Sequence, residues 1–123
     1  MSPSIAQLLH SIGQAIYDKQ GFNILGLDVK EICSMTDYFV IAEGNVDRHI
    51  NSIAKAIIEA AHKIGEKPIL IEGQAEGSWV VIDFGDVVVH LFLSDYREKY
   101  ELEKIWNNGK IYDLEIKIKK EVH

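Results

Sequence analysis

The stretch WVVIDFGDVVVHLFL, residues 79–93, decides the fold of this chain. Two runs of β-branched and aromatic residues flank Gly85-Asp86, a pair that suits a two-residue turn. The stretch therefore predicts a β-hairpin in which Phe84 pairs with Val87, and the remaining pairs follow by counting. The predicted pairs are Ile82 with Val89, Val80 with Leu91, Asp83 with Val88, Val81 with His90, and Trp79 with Phe92.

The two faces of the predicted hairpin differ in chemistry. One face carries only aliphatic and aromatic residues, so we expect it to pack against helices. The other face, called the mixed face below, also carries aromatic rings, one histidine and one carboxylate. Because a chain of this size has few elements with which to cover both faces, the mixed face is a candidate surface for a partner. Its most informative residues are Trp79, Asp83, His90 and Phe92.

The bulk composition is that of one soluble globular domain. The chain has 123 residues, of which 47% are hydrophobic and 26% are charged. No apolar run approaches the roughly 20 residues that span a bilayer, and the N-terminal stretch predicts an amphipathic helix rather than a signal peptide. Cys33 is the single cysteine, which fits a reducing compartment. We therefore expect a cytoplasmic protein that is not bound to a membrane.

The net charge of −6 is concentrated in one segment. Residues 72–103 hold eight acidic and two basic residues, which accounts for the whole imbalance. An acidic surface repels phosphate backbones, so direct binding to DNA or other nucleic acid is disfavoured. A basic protein partner suits this charge better, although acidic surfaces also serve solubility alone.

The apolar spacing along the rest of the chain predicts a mixture of helices and strands in the order α β β α β β β α. This order favours an α/β or α+β class, with a mixed β-sheet whose helices lie mainly on one face. The predicted elements are a helix over Ile5–Ile16, strands at Ile24–Val29 and Tyr38–Ala42, a helix over Val46–Ile64, a strand at Ile69–Ile71, the hairpin, and a helix over Asp95–Trp106.

Residues that favour helix ends bracket the first two helices. Ser2 or Ser4 is placed to cap the first helix, and Gly21 is placed to end it in the left-handed conformation. Asn45 is predicted to cap the second helix, and Gly65 to end it.

The last residues follow a different pattern. Residues 110–123 alternate weakly and carry four lysines, which predicts either an added edge strand or a frayed extension. We therefore divide the chain into a single domain over 1–109 and a C-terminal extension over 110–123.

Residues with catalytic or metal-binding potential do not form a recognisable pattern. The five histidines lack the spacing of zinc sites, and one cysteine cannot build a thiolate cluster. Cys33 follows a predicted strand among apolar neighbours, which favours a buried inert thiol. Asp83 and Asp86 are separated by a turn, so their side chains diverge and do not make a Mg²⁺ pair. The sequence therefore predicts no catalytic residue, no metal site and no cofactor.

Two residues of the mixed face have alternative interpretations. His90 is either a neutral, hydrogen-bonded sheet histidine or a contact residue beside two aromatic rings. Asp83 is either a sheet-end residue at the solvent boundary or part of a partner surface. Aromatic residues are enriched among interface hot spots, where truncation costs about 2 kcal/mol or more. Arg97 and Tyr100, on the helix that follows, are placed to extend the surface.

Four segments occur together along most of the chain, from about Ile5 to Trp106. They are SMTDYFVIAEGNVDRHI at 34–50, Ile71-Glu72-Gly73, GSWVVIDFGDVVVHLF at 77–92, and YREKYELE at 96–103 leading to Ile105-Trp106. In their order and spacing they resemble the Iojap family, the ribosomal silencing factors. The chain departs from the usual family pattern at Met35, Val46 and His49, and the residues after Gly109 lie outside it.

The resemblance implies a binding protein rather than an enzyme. Family members dock on the large ribosomal subunit, on its ribosomal protein fourteen, where they block joining of the small subunit and so repress translation. The implied fold is similar to the nucleotidyltransferase α/β fold. One alternative is a nucleotidyltransferase-like enzyme that acts on a small nucleotide with Mg²⁺, and another is a homodimerisation module that uses the mixed face.

The resemblance also indicates which residues form the partner surface. The family's partner surface corresponds best to the four mixed-face residues. The predicted strand register indicates the same four residues independently. The predicted partner-binding residues are Trp79, Asp83, His90 and Phe92, with Glu72, Arg97, Glu98 and Tyr100 at the rim.

Overall fold

The computed structural model describes residues 4–99 and 109–118 of the chain. Helices and strands follow the predicted order, with one further strand at the end. The predicted third helix begins one residue early, and its part over 100–106 lies outside the described residues. The elements are α1 (Ile5–Asp18), β1 (Phe22–Asp28), β2 (Tyr38–Gly44), α2 (Asp47–Lys63), β3 (Leu70–Glu72), β4 (Trp79–Asp83), β5 (Val87–Leu93), α3 (Ser94–Lys99) and β6 (Lys110–Tyr112).

Six strands form one mixed sheet in the order β3-β4-β5-β2-β1-β6. The β2–β5 pair is parallel, and the other pairs are antiparallel. The predicted hairpin register is confirmed at all five strand pairs of β4 and β5. At the turn, the Phe84 backbone N–H donates to the Val87 carbonyl over 2.9 Å, which closes the hairpin as predicted.

The larger apolar core lies between the sheet and the helices α1 and α2. The face of the hairpin opposite the mixed face packs there, which confirms the prediction made from its residues. Each fully buried Leu or Ile side chain contributes about 1.5–3 kcal/mol to folding, so this layer holds the sheet and helices together. No helix in the described part of the chain is long and apolar enough to cross a bilayer. The hairpin residues in this core are Val80, Ile82, Phe84, Val87, Val89 and Leu91.

The ends of α1 confirm one expectation and correct another. Ser4 is the N-cap, and its hydroxyl accepts from the Gln7 backbone N–H in a capping box. The prediction that Gly21 adopts the left-handed conformation is wrong, because Gln20 has the positive φ of 64°. Gly21 serves packing instead, since a Cβ there would lie 2.5 Å from Cγ2 of Ile16.

The start of α2 differs from the prediction, whereas its end agrees. Val46, rather than Asn45, is the N-cap, and no side chain caps the helix. The Asn45 backbone N–H instead donates to Nδ1 of His49 over 3.0 Å. Asp47 places a carboxylate in the first turn, where the helix dipole favours it. Gly65 follows the helix with φ of 84°, which confirms the predicted left-handed end.

Residues 110–118 pack against the sheet and α1. Strand β6 pairs with β1, so the edge-strand alternative describes these three residues. Residues 113–118 then run along α1, where a ring nitrogen of His10 lies 3.2 Å from the Leu114 carbonyl. The Gln14 side chain bonds both the backbone N–H and the carbonyl of Lys117, over 2.8 and 3.2 Å. Leu114 is only 6% exposed and belongs to the main core.

This packing predicts that the Leu114 side chain stabilises the fold. Leu114→Ala should lower the free energy of unfolding by about 2–4 kcal/mol, because it removes buried apolar volume. The matched variant Ile118→Ala, at a side chain that is 73% exposed, should change it by less than about 0.5 kcal/mol. Urea unfolding followed by circular dichroism measures both. Equal stability of the two variants would contradict a structural role for this segment.

Candidate functional site

The mixed face continues from the hairpin across β2 and β1. Because β2 is the parallel neighbour of β5, Phe39 lies beside Val88 and Ile41 lies beside His90. Strand β1 then adds Leu25 and Leu27 on the same side, opposite Ile41 and Phe39. Sequence reasoning missed Phe39, although the alternation along 38–44 does place it and Ile41 on one face.

The inner part of the mixed face is buried in a second, smaller core. Leu27, Val29, Ile41 and Phe92 form this cluster, and each is at most 3% exposed. Phe92 is fully buried, which corrects the expectation that its ring lies open to a partner. It pairs with Trp79 on β4 and with Glu43 on β2, so it supports the surface from within the second core.

The outer part of the mixed face remains accessible. Trp79, Phe39 and Leu25 are partly buried and pack against the second core. Val81 and Val88, beside His90 on the hairpin, are also half-buried. The described chain thus leaves a mainly apolar strip across β1, β2, β5 and β4, with the indole of Trp79 at its end.

Trp79 and His90 are joined by a hydrogen bond. The indole Nε1–H donates to Nδ1 of His90 over 3.1 Å. Further ring contacts surround the pair: Phe39 meets the imidazole edge-on at 5.2 Å between centroids, and Phe92 meets the indole edge-on at 5.8 Å. Edge-on aromatic pairs add about 0.5–1.5 kcal/mol beyond the area that they bury.

Burial keeps His90 neutral. Loss of hydration disfavours the imidazolium and lowers the pKa of His90 to about 4. The neutral form fits the geometry, since Nδ1 accepts the indole N–H and the ring proton therefore resides on Nε2. Of the two interpretations of His90, the structure supports the neutral, hydrogen-bonded sheet histidine.

Asp83 stabilises the hairpin turn. Its Oδ1 accepts the Gly85 backbone N–H over 2.7 Å, and the residue is half-buried at the end of β4. Asp86 is exposed, and its backbone carbonyl accepts N–H groups from Asp37 and Tyr38. Within residues 4–99 and 109–118, no group of three or more His, Cys, Asp or Glu residues is arranged to hold a metal ion.

The structure gives the positions of three of the four predicted rim residues. Glu72 is exposed on the edge strand β3, opposite Val81, so it borders the mixed face. Arg97 and Glu98 lie in α3, directly after β5. Tyr100 lies outside the described residues.

Glu43 is a mixed-face residue that sequence reasoning did not select. It lies on β2 opposite Phe92 and is only 4% exposed. The Asn23 side-chain amide donates to Glu43 Oε2 over 3.0 Å, which compensates part of the cost of burying the carboxylate. No local signal marks it, because a Glu before Gly44 equally suits an exposed strand end.

Comparisons with known proteins agree on one family. The family model for ribosomal silencing factor during starvation matches residues 2–123. A ribosomal silencing factor of Bacillus subtilis is 40% identical over 108 residues, covering 88% of this chain and 92% of that protein. The mouse protein named mitochondrial assembly of ribosomal large subunit protein 1 is 38% identical over 74 residues, covering 58% of this chain and 32% of that protein.

A solved structure has the same fold. The crystal structure of a Chromobacterium violaceum protein superposes with a TM-score of 0.82 at 27% identity, and covers 94% of this chain and 95% of that one. This likeness supports the six-stranded mixed sheet with its helices.

The pKa of His90 predicts a pH dependence of stability. Because the folded pKa lies near 4 and the unfolded value is 6.5, the unfolded state binds the extra proton between these values. The contribution of the neutral His90 to the free energy of unfolding is fully present above pH 6.5. It falls by up to about 3 kcal/mol as the pH is lowered towards 4. Urea unfolding from pH 4.5 to 7.5 measures it, with His90→Asn as the control that lacks the titrating group. Parallel stability curves for the two proteins would contradict the assigned burial.

Proposed function

Because the chain belongs to the family of ribosomal silencing factors, we propose that it binds the large ribosomal subunit through ribosomal protein fourteen. Bound there, it blocks joining of the small subunit and so represses translation. The observation that carries the proposal is the partly exposed aromatic and aliphatic strip of the mixed face, on the side of the sheet opposite α1 and α2. The name of the mouse relative, which refers to assembly of the large subunit, fits the same target.

The chemistry of the strip suits a protein partner. Trp79, Phe39 and the valines at 81 and 88 present apolar area on a rigid sheet, so little side-chain freedom is lost on binding. A stable complex needs roughly 800 Å² from each partner. The partly exposed part of the mixed face adjoins the β3 edge, where Leu70 is 51% exposed, and the two together form the proposed surface.

The charge around the strip suits a basic partner. Glu72 on β3 and Asp83 on β4 lie on the mixed-face side, and Glu76 and Asp86 are exposed in nearby loops. Ribosomal RNA would be repelled by this surface, whereas a basic ribosomal protein would be attracted to it. The proposed action needs affinity and bulk alone. One bound copy occludes one subunit, and no substrate is turned over.

A first prediction concerns Trp79, the aromatic anchor of the strip. Trp79→Ala should weaken binding to purified large subunits by about 30-fold or more, as expected for a hot spot of 2 kcal/mol. Sucrose-gradient co-sedimentation measures the binding, and thermal unfolding confirms that the variant folds.

A second variant keeps this test informative if Trp79→Ala is unstable. Val81→Lys places a charge at the centre of the strip and should abolish co-sedimentation. The matched control Ile58→Lys changes a half-buried side chain on α2 and should bind normally. Normal binding by folded Val81→Lys would rule out the mixed face as the docking surface.

A further prediction concerns charge. Glu72→Lys should slow association with the large subunit and reduce its salt dependence, because the exposed carboxylate attracts a basic partner. Glu59→Lys makes the same change on α2, on the other side of the sheet, and should have little effect. Stopped-flow association rates at several ionic strengths measure both. Rates that do not change with salt would refute electrostatic attraction.

A further inference from the structure

We propose that His90 is a positioning residue, which holds the indole of Trp79 in the orientation that meets the partner. The inference rests on the proposed function, since it concerns how the docking surface is prepared for binding. It assigns His90 an indirect role, in contrast to the direct contact expected from the sequence. The main support for this role is the hydrogen bond that the Trp79 Nε1–H donates to His90 Nδ1, over 3.1 Å.

The register of the hairpin makes this bond available. Trp79 pairs with Phe92 and Val81 pairs with His90, so the indole and the imidazole are diagonal neighbours on one face. Diagonal positions in an antiparallel pair lie about 7–8 Å apart at the backbone, a distance that two aromatic side chains can bridge. The two rings meet with their centroids 6.0 Å apart.

The imidazole is itself held in place. Phe39 from β2 packs edge-on against it, with the ring planes at 85°. Phe92, two residues along β5, lies on another side with its ring 29° from parallel and its centroid 6.3 Å away. The acceptor nitrogen therefore has a fixed position, set by Phe39 of the neighbouring strand β2 and by Phe92 of β5 itself.

A fixed acceptor selects one orientation of the indole. Loss of this bond would widen the range of orientations open to the partly buried Trp79 side chain, and binding would have to restrict that range at an entropic cost. The hydrogen bond lowers that cost because it favours one orientation in the free protein. His90 thus increases affinity by preorganising Trp79 before the partner arrives.

A double-mutant cycle separates positioning from direct contact. His90→Leu fills similar space but removes the acceptor, and Trp79→Phe keeps an aromatic ring but removes the donor. In the protein that keeps Trp79, we expect His90→Leu to weaken binding to the large subunit about 3- to 10-fold, the effect of losing one hydrogen bond. In the Trp79→Phe background the same change should weaken binding less than about twofold. His90→Asn, whose Oδ1 can replace Nδ1, should recover at least part of the loss.

The failures of the two proposals are distinguishable. Equal losses from His90→Leu in both backgrounds would overturn positioning and show that His90 contacts the partner itself. Unimpaired binding by Trp79→Phe, Trp79→Ala and Val81→Lys would overturn the docking surface, and with it the role assigned to His90.

A measurement on the free protein tests positioning without a ribosome. The indole N–H signal of Trp79, assigned by its absence in Trp79→Phe, should exchange slowly with water. In His90→Leu its exchange should become about 3- to 10-fold faster, and His90→Asn should be intermediate. Unchanged exchange in His90→Leu would overturn the proposal.

Discussion

The antiparallel register of β4 with β5 is the constraint on which the rest of the structure depends. Side chains alternate between faces with a period of two, so a slip of one residue would exchange the two faces of the hairpin. It would move Val80 and Ile82 out of the main core and place Val81 and Asp83 in it. The turn fixes the register locally, since Asp83 bonds to the backbone N–H of Gly85, which has φ of 92°.

The same register builds the proposed docking surface. It brings Trp79 within hydrogen-bonding distance of His90 and places Phe92 beside the indole, edge-on. The main core and the proposed docking surface therefore lie on opposite sides of one pair of strands. Helices α1 and α2 cover one side, whereas the other keeps a partly exposed, mainly apolar strip. This arrangement agrees with a family whose named members are silencing factors rather than enzymes.

The features that could be predicted from the sequence are those that depend on local pattern. The hairpin pairs followed from one turn and strict alternation, and Gly65 from its position after an apolar helix. The burial of Phe92 and the position of Phe39 on the mixed face could not be predicted in the same way. Both depend on the parallel pairing of β2 with β5, which are far apart in the sequence. Two helix boundaries differed from prediction, the end of α1 near Gln20 and the start of α2 at Val46. Close packing of Gly21 against Ile16 at the first, and the bond from the Asn45 backbone N–H to His49 at the second, outweighed local preference.

Hydroxyl-radical footprinting of the protein, free and bound to purified large subunits, tests the central claim most directly. It compares the oxidation of exposed side chains on opposite sides of the sheet in one experiment. We expect strong protection of Trp79 on binding and unchanged oxidation of His62, which is exposed on α2. Protection of the α1–α2 surface with Trp79 oxidised as in the free protein would contradict it.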